Sequence, residues 1–419
     1  MKPRGARRTG VGPGAPDSTS CRPLNFRPFR GYHAGPMKSR AQIAQSAAAG
    51  LNRFARRAPS TRVVVGFDGF VDSIIDVVDK RHSLEAYDPI RTIDGLGRKL
   101  LAAAGQSSNY ELVTKLEKLG GNGPIMANAT ARAGLPTTYI GALGSPAIHR
   151  VFEPLSRIAQ CISICNPGLT DALEFSDGKI MLGKHASLKD INAAQLDRVV
   201  GLEKLKSIVA PCRLLGMVNW TMLTKTDEIW AYLIERVFPG LPQPPEGRRF
   251  VFIDLADPEK RTRQDLAKAL ESSRRFQQVA DVILGYNLKE AVQVAEVLGV
   301  EAGADPEAEI EVIAVGLRER LNVHGVVIHP RASAAAAVRT GQSVASGTFQ
   351  GPLVKQPKLS TGAGDNFNSG FCIGMLAGLA VEEALCAGTG SSGYYVRNAE
   401  SPSLDQLAAF CEKLPEPEL

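Results

Sequence analysis

Near its C-terminal end the 419-residue chain carries Leu359-Ser360-Thr361-Gly362-Ala363-Gly364-Asp365-Asn366-Phe367, a run of small residues closed by a carboxylate. Phe367, Phe371 and Met375 then recur every four residues beside Gly370, Gly374 and Gly378. That spacing predicts a buried helix with a glycine edge open to close packing. A helix starting at about Ala363–Asp365 leaves its first N–H groups unpaired, and with the positive end of the helix dipole these form an anion site. Small side chains let a phosphate approach the backbone itself, and Asp365 would stand beside it as a base. A plain glycine turn with an aspartate capping the helix uses the same residues. The rest of the chain has to decide.

Other polar groups fall where an α/β fold places its ligands. Arg62-Val63-Val64-Val65-Gly66-Phe67 reads as a buried strand ending in a polar turn with Asp68, Gly69 and Asp72. Carboxylates at a strand end mark the ligand edge of an open α/β sheet, although they also cap turns. Gly120-Gly121-Asn122 opens a helical run over Ile125–Ala133, and Asn122 offers a hydroxylated ligand both a donor and an acceptor. Asn287 and Glu290 follow the strand Val282–Leu284 at the start of another helix.

The elements needed to position these groups alternate. The pattern predicts a peripheral helix over Ser39–Arg57, then helices near Leu96–Ala104 and Tyr110–Leu119 in the charged segment Lys80–Leu119. A strand follows over Thr137–Leu143. Two strands around Ile162 and Leu173, with a hairpin turn at Asp177-Gly178, suggest a small separate sheet. From Arg213 onward strands and helices alternate regularly to a last helix over Leu404–Lys413, which predicts a mostly parallel sheet covered on both faces.

Composition removes several functions. The formal charge is +6, but Met1–Arg62 holds 13 basic residues against the single acid Asp17, leaving 36 basic and 42 acidic residues beyond it. The body is mildly acidic, so nucleic acid is not an expected partner; only the Arg-rich extension could bind it. Residues 1–38 read as a disordered Arg/Gly/Pro-rich extension, a transit peptide, or sequence upstream of a true start at Met37. No apolar run of membrane length occurs, the seven cysteines form no CxxC, and the six histidines form no zinc motif. These features suit a cytoplasmic protein. There is no P-loop, and Gly388-Thr389-Gly390-Ser391-Ser392-Gly393 follows a helical segment, which is the wrong context for a dinucleotide site.

Taken in order, Asp72, Gly120-Gly121-Asn122, Asn287-x-x-Glu290 and Gly362-Ala363-Gly364-Asp365 resemble the ribokinase-like, PfkB-type carbohydrate and nucleoside kinases, over roughly Arg62–Leu414. Thr361–Asp365 with Phe367 and Gly370 is similar to that family's second signature. Gly120-Gly121 through Asn128, Ala131 and Gly134 resembles the first more loosely. The resemblance implies one kinase domain over 39–419, with a parallel sheet and a small antiparallel β lid from about 73–119 and 160–185. It implies Asp365 as catalytic base, Gly362, Ala363 and Gly364 as anion hole, Asn287 and Glu290 positioning Mg²⁺ and phosphate, and Asp72, Gly121 and Asn122 holding the acceptor. ATP, Mg²⁺ and a sugar or nucleoside are the implied ligands, with no direct protein ligand to the metal. A homodimer through the lid is a further implication. The chain departs from the family at Leu359, where an acid is usual, which weighs against a monovalent-cation site. It departs again at Gly144–His149, at Ile125 and at Ile328–Arg331. A non-catalytic sugar- or nucleotide-binding regulator on the same fold, or a nucleoside kinase, is the alternative.

Overall fold

β-Branched runs such as Val63-Val64-Val65 prefer the pleated surface, and when both faces are covered they need no polar alternation. The computed structural model describes residues 38–244 and 247–418, and has many such strands. The readings of the N-terminal extension lie outside the described residues, Lys38 apart. The strands are β1 (Arg62–Phe67), β2 (Phe70–Arg81), β3 (Tyr87–Pro89), β4 (Leu112–Gly120), β5 (Thr137–Ala142), β6 (Gln160–Cys165) and β7 (Gly168–Phe175). They continue as β8 (Gly178–Lys184), β9 (Cys212–Val218), β10 (Phe250–Asp254), β11 (Asp281–Tyr286), β12 (Gly325–Ile328), β13 (Ser333–Thr340) and β14 (Ser343–Gln350).

Nine strands form the main sheet in the order β14-β13-β12-β11-β10-β9-β1-β5-β6. From β12 to β6 every pairing is parallel, and β13 and β14 close one end as an antiparallel pair. Alternate residues feed opposite cores: Val64, Leu215, Ile253 and Leu284 pack on one face, Val65, Leu214, Phe252 and Ile283 on the other. Strand order reverses at β1, whose neighbours are β5 on one side and β9 on the other. Such a switch point opens a crevice at the carboxyl ends of the strands. Asp68 leaves β1 there, Asn219 follows β9, Asp254 ends β10, Asn287 follows β11 and His329 follows β12. One sheet edge therefore carries five polar groups.

The predicted helix at the glycine turn runs Ala363–Ala377. Its glycine edge meets the helix Val381–Asn398: a Cβ on Gly370 would sit 2.5 Å from the Ala387 carbonyl, and one on Gly374 2.8 Å from Ala384. The Gly388–Gly393 run lies inside that second helix, so it forms no phosphate loop.

A second sheet, β3-β2-β7-β8 with β4 along β2, stands apart as the lid. Cross-strand pairs Asp72↔Thr170 and Ile74↔Ala172 put one face of β2 and β7 together, while Ile75↔Leu173 belongs to the other. The Ile75 face packs with Ile90, Leu173 and Leu96, the last from helix α2 (Ile93–Ala102) of the Lys80–Leu119 segment. That segment thus covers one face of the lid within the chain. Leu116 and Met181 stay exposed on the other face.

Several expectations change. Tyr110–Leu119 is not a helix; Leu112–Gly120 is strand β4, held by its ladder to β2. The strand around Ile162 is β6 and joins the main sheet beside β5, so the lid comprises 70–89, 112–120 and 168–184. Asp72 is not in a strand-end turn; it lies within β2. Nor is the first helix peripheral, because its Leu51 and Phe54 are buried in the main core.

Candidate active site

The site forms where the switch point meets the Ala363 helix. Asp68 is fully buried and takes both backbone N–H groups that open helix Asn122–Arg132, from Asn122 (3.0 Å) and Gly123 (2.8 Å). Asn219 Nδ2 adds a third bond at 2.7 Å, and the Tyr139 hydroxyl bonds the Asp68 carbonyl. Asp68 is therefore the cap of that helix and the tie between β1 and β9. Burial pushes its carboxyl up to about 6, against these donors, which favour the charged form. The glycines follow from this geometry. A Cβ at Gly120 would overlap the Asp72 carboxyl, one at Gly123 would sit 2.5 Å from Asp68 Oδ1, and Gly121 has φ +96°.

Asn122, fixed through its backbone to Asp68, donates its side-chain amide to Asp365 Oδ1 at 2.9 Å. Asp365 sits in the first turn of its helix and is buried. Burial, and then the charge of Asp254, hold its carboxyl well above the usual range, while the Asn122 bond acts the other way. Asn122 and Asp365 are thus brought together by elements 243 residues apart in sequence. Gly362 has φ +91°, and its Cβ would lie 3.0 Å from the Tyr395 hydroxyl, which bonds the Thr361 carbonyl at 2.8 Å. The Ala363 N–H turns back to the Ser360 carbonyl at 3.2 Å.

Asp72 joins from the lid. It is buried, bonded to Thr170, and burial raises its carboxyl above the ordinary value while Lys118 and Lys179 act against the rise. Asn287 and Glu290 are brought together as a reciprocal capping box: Asn287 Oδ1 accepts from Glu290 N at 2.9 Å and Glu290 Oε2 from Asn287 N at 2.9 Å. Glu290 Oε1 accepts from Asp257 N at 2.7 Å.

Two groups beside these escaped the sequence reading. Asp254 accepts from Ala256 N at 2.8 Å and from Asn368 Nδ2 at 2.7 Å, and Asn368 Oδ1 is buried without a partner. Asp254 has the same signal as Asp68, a carboxylate closing an apolar strand. Asn368 stands three residues after Asp365, on the same helix face. Burial raises both Asp254 and Glu290, and charge on Asp254 raises Glu290 further. Among the described residues no three acidic, histidine or cysteine side chains cluster to grip a metal ion directly. All four oxygens of Asp254 and Glu290 already accept hydrogen bonds. This donor set, with the orphaned Asn368 oxygen, fits a hydrated Mg²⁺ held through water, the habit of that ion.

Cavities flank the turn. One of about 440 Å³ lies between Asn287, His329, Gly364, Phe367, Pro352 and Val396. The His329 ring is buried there, 4.5 Å from Phe367, and burial lowers it to about 4, so it is a neutral flat wall. The other, about 980 Å³, runs along β4 past Ile125, Asn128, Leu359 and Thr361. Both sizes suit small-molecule ligands.

A family model described as prokaryotic ketohexokinase matches residues 41–414. A ketohexokinase of Haloferax volcanii is 28% identical over 359 residues, covering 84% of this chain and 92% of its own length. Ribokinase of Cryptococcus neoformans in complex with ADP superposes with a TM-score of 0.56 at 18% identity, over 84% of this chain and 99% of that one. Ribokinase of Arabidopsis thaliana complexed with ribose and ATP gives 0.54 at 17% identity, over 84% and 98%. These two likenesses bear on the fold, and it is the ribokinase fold. Among the described residues no helix is long and apolar enough to cross a membrane.

Proposed function

The chain belongs to the prokaryotic ketohexokinase family, and on that premise we propose that it transfers the γ-phosphoryl group of ATP to a hydroxyl of a ketohexose. The observation that carries this reading is the Asn122–Asp365 contact beside the Gly362–Gly364 turn: a buried carboxylate and a helix N-terminus occupy one helical turn. The acceptor oxygen bonds the γ-phosphorus as the bond to the β–γ bridging oxygen breaks. Its proton passes to the Asp365 carboxylate, and ADP leaves with the electron pair. Gly362, Ala363 and Gly364 present backbone N–H groups to the transferring group, where charge builds up. Asp72, Gly121 and Asn122 hold the sugar, and His329 with Phe367 forms the nucleotide-side wall. Mg²⁺, held through water near Asn287, Glu290 and Asp254, supplies charge neutralisation for the phosphates. A second copy docking on the exposed lid face at Leu116 and Met181 fits the dimer expectation, and sedimentation of the purified protein tests it.

A substrate panel tests the reading. With ATP and Mg²⁺, kcat/KM should be highest for ketohexoses and lower for aldoses and nucleosides. A nucleoside preferred over every sugar would overturn it.

The base has its own test. Asp365 works when ionised, and its carboxyl is raised, so kcat/KM falls as pH drops through that raised value. Asn122→Leu removes a bond favouring the ionised form and should move this acid limb to higher pH. The pH–rate profile reads it directly, and an unmoved limb contradicts the contact.

A further inference from the structure

Lys179 is the second residue of β8, next to the tip of the lid hairpin, and its Nζ donates to Thr361 Oγ1 at 3.0 Å. Thr361 is the residue immediately before the Gly362 turn. Among the described residues no carboxylate lies within ion-pair distance of Lys179, so its charge is held at this place by a neutral hydroxyl. Cross-strand pairing through Glu174 sets Lys179 on the same lid face as Ala172, Thr170 and Asp72, and its charge favours the ionised form of Asp72. The hairpin tip is fastened as well: Asp177 Oδ1 accepts the first N–H of α2, from Ile93, at 2.8 Å, and Ser176 Oγ bonds the Arg91 carbonyl at 2.8 Å. Helix α2, which covers the far face of the lid, therefore also anchors the hairpin turn just before Lys179.

An ammonium with three donors, one spent on a hydroxyl at the entry to an anion turn, is poised to take a phosphate oxygen. The carboxylates beside the turn, Asp68, Asp254 and Asp365, repel an arriving triphosphate, and a cation from the lid side adds to what a hydrated Mg²⁺ would offset. Resting on the kinase reading above, we propose that Lys179 contacts the phosphoryl group in transfer, so that lid closure itself delivers a catalytic charge. The bond changes are those already given; Lys179 keeps its proton and stabilises the charge on the transferring oxygens.

The test compares wild type, Lys179→Met and Lys179→Arg, with D-fructose present throughout. Dissociation constants for β,γ-imido-ATP and for ADP are measured by calorimetry alongside kcat. Lys179→Met should lower kcat by about 10²-fold, within the range for losing one charge-stabilising donor. It should weaken the ATP analogue several-fold and leave ADP unchanged, and Lys179→Arg should recover most of both. A Lys179→Met protein that keeps the wild-type preference for the analogue over ADP overturns the proposal. So does one that loses only fructose affinity, which would make Lys179 a lid fastener. If wild type phosphorylates no sugar, the kinase reading fails, while the analogue-against-ADP comparison still decides whether Lys179 meets the γ-phosphate.

Discussion

Asp365→Asn should lower kcat by about 10²–10⁴-fold, the usual scale for losing a positioned base, while leaving sugar and nucleotide dissociation constants near wild type. The same substitution should make the ligand-free protein more stable. An amide keeps the acceptor for Asn122 but removes a carboxyl whose burial raises it well above its ordinary value. A raised carboxyl contributes stability below its unfolded-state value, and that stability is lost as pH rises toward the folded value. The variant's advantage over wild type should therefore grow from pH 5 to pH 8 in denaturant unfolding. Lower turnover with higher stability is the mark of a strained functional group. Lower turnover with lower stability would mean that Asp365 holds the structure and that the loss of activity is indirect.

Asp68→Ala should act in the opposite sense on stability. It leaves three donors without their acceptor, two of them backbone N–H groups at the start of a helix. Each buried orphan costs about 1–3 kcal/mol. Relief from burying the carboxylate offsets about 3 kcal/mol at pH 8, since each pKa unit is about 1.4 kcal/mol and the carboxyl rises from 3.8 to about 6. At pH 5 wild-type Asp68 is mostly protonated in the fold, but the unfolded carboxyl is already mostly ionised, so only about half of this relief remains. Destabilisation should thus be larger at pH 5 than at pH 8, by about 1.4 kcal/mol. Activity should also fall, because Asn122 loses the backbone anchor that aims it at Asp365. Equal destabilisation at both pH values would contradict the burial of Asp68 as a charged cap.

The main sheet was legible because its strands are β-branched runs buried on both faces, and the helix after Gly362 because Phe367, Phe371 and Met375 recur at helical spacing. The lid was harder. Leu112, Leu116 and Leu119 stand four and three residues apart, a helical spacing, yet Leu116 pairs with Ile74 and Leu119 with Val71 across the sheet. Non-local pairing overrode local pattern. Asp68 and Asp72 both read as strand-end carboxylates, yet only Asp68 closes β1 and ties the site together, while Asp72 falls inside β2 and reaches the site from the lid. Asp254 carries the same strand-end signal, at the close of β10. Lys179 meets Thr361 across 182 residues, and only the folded lid reveals it.

The most direct test is to incubate the purified protein with ATP, Mg²⁺ and D-fructose and follow the products by ³¹P NMR. The account predicts a fructose phosphate formed in step with ADP by wild type, and a rate reduced at least about 10²-fold in Asp365→Asn. ATP hydrolysis without a sugar phosphate, or equal sugar phosphorylation by both proteins, would contradict it.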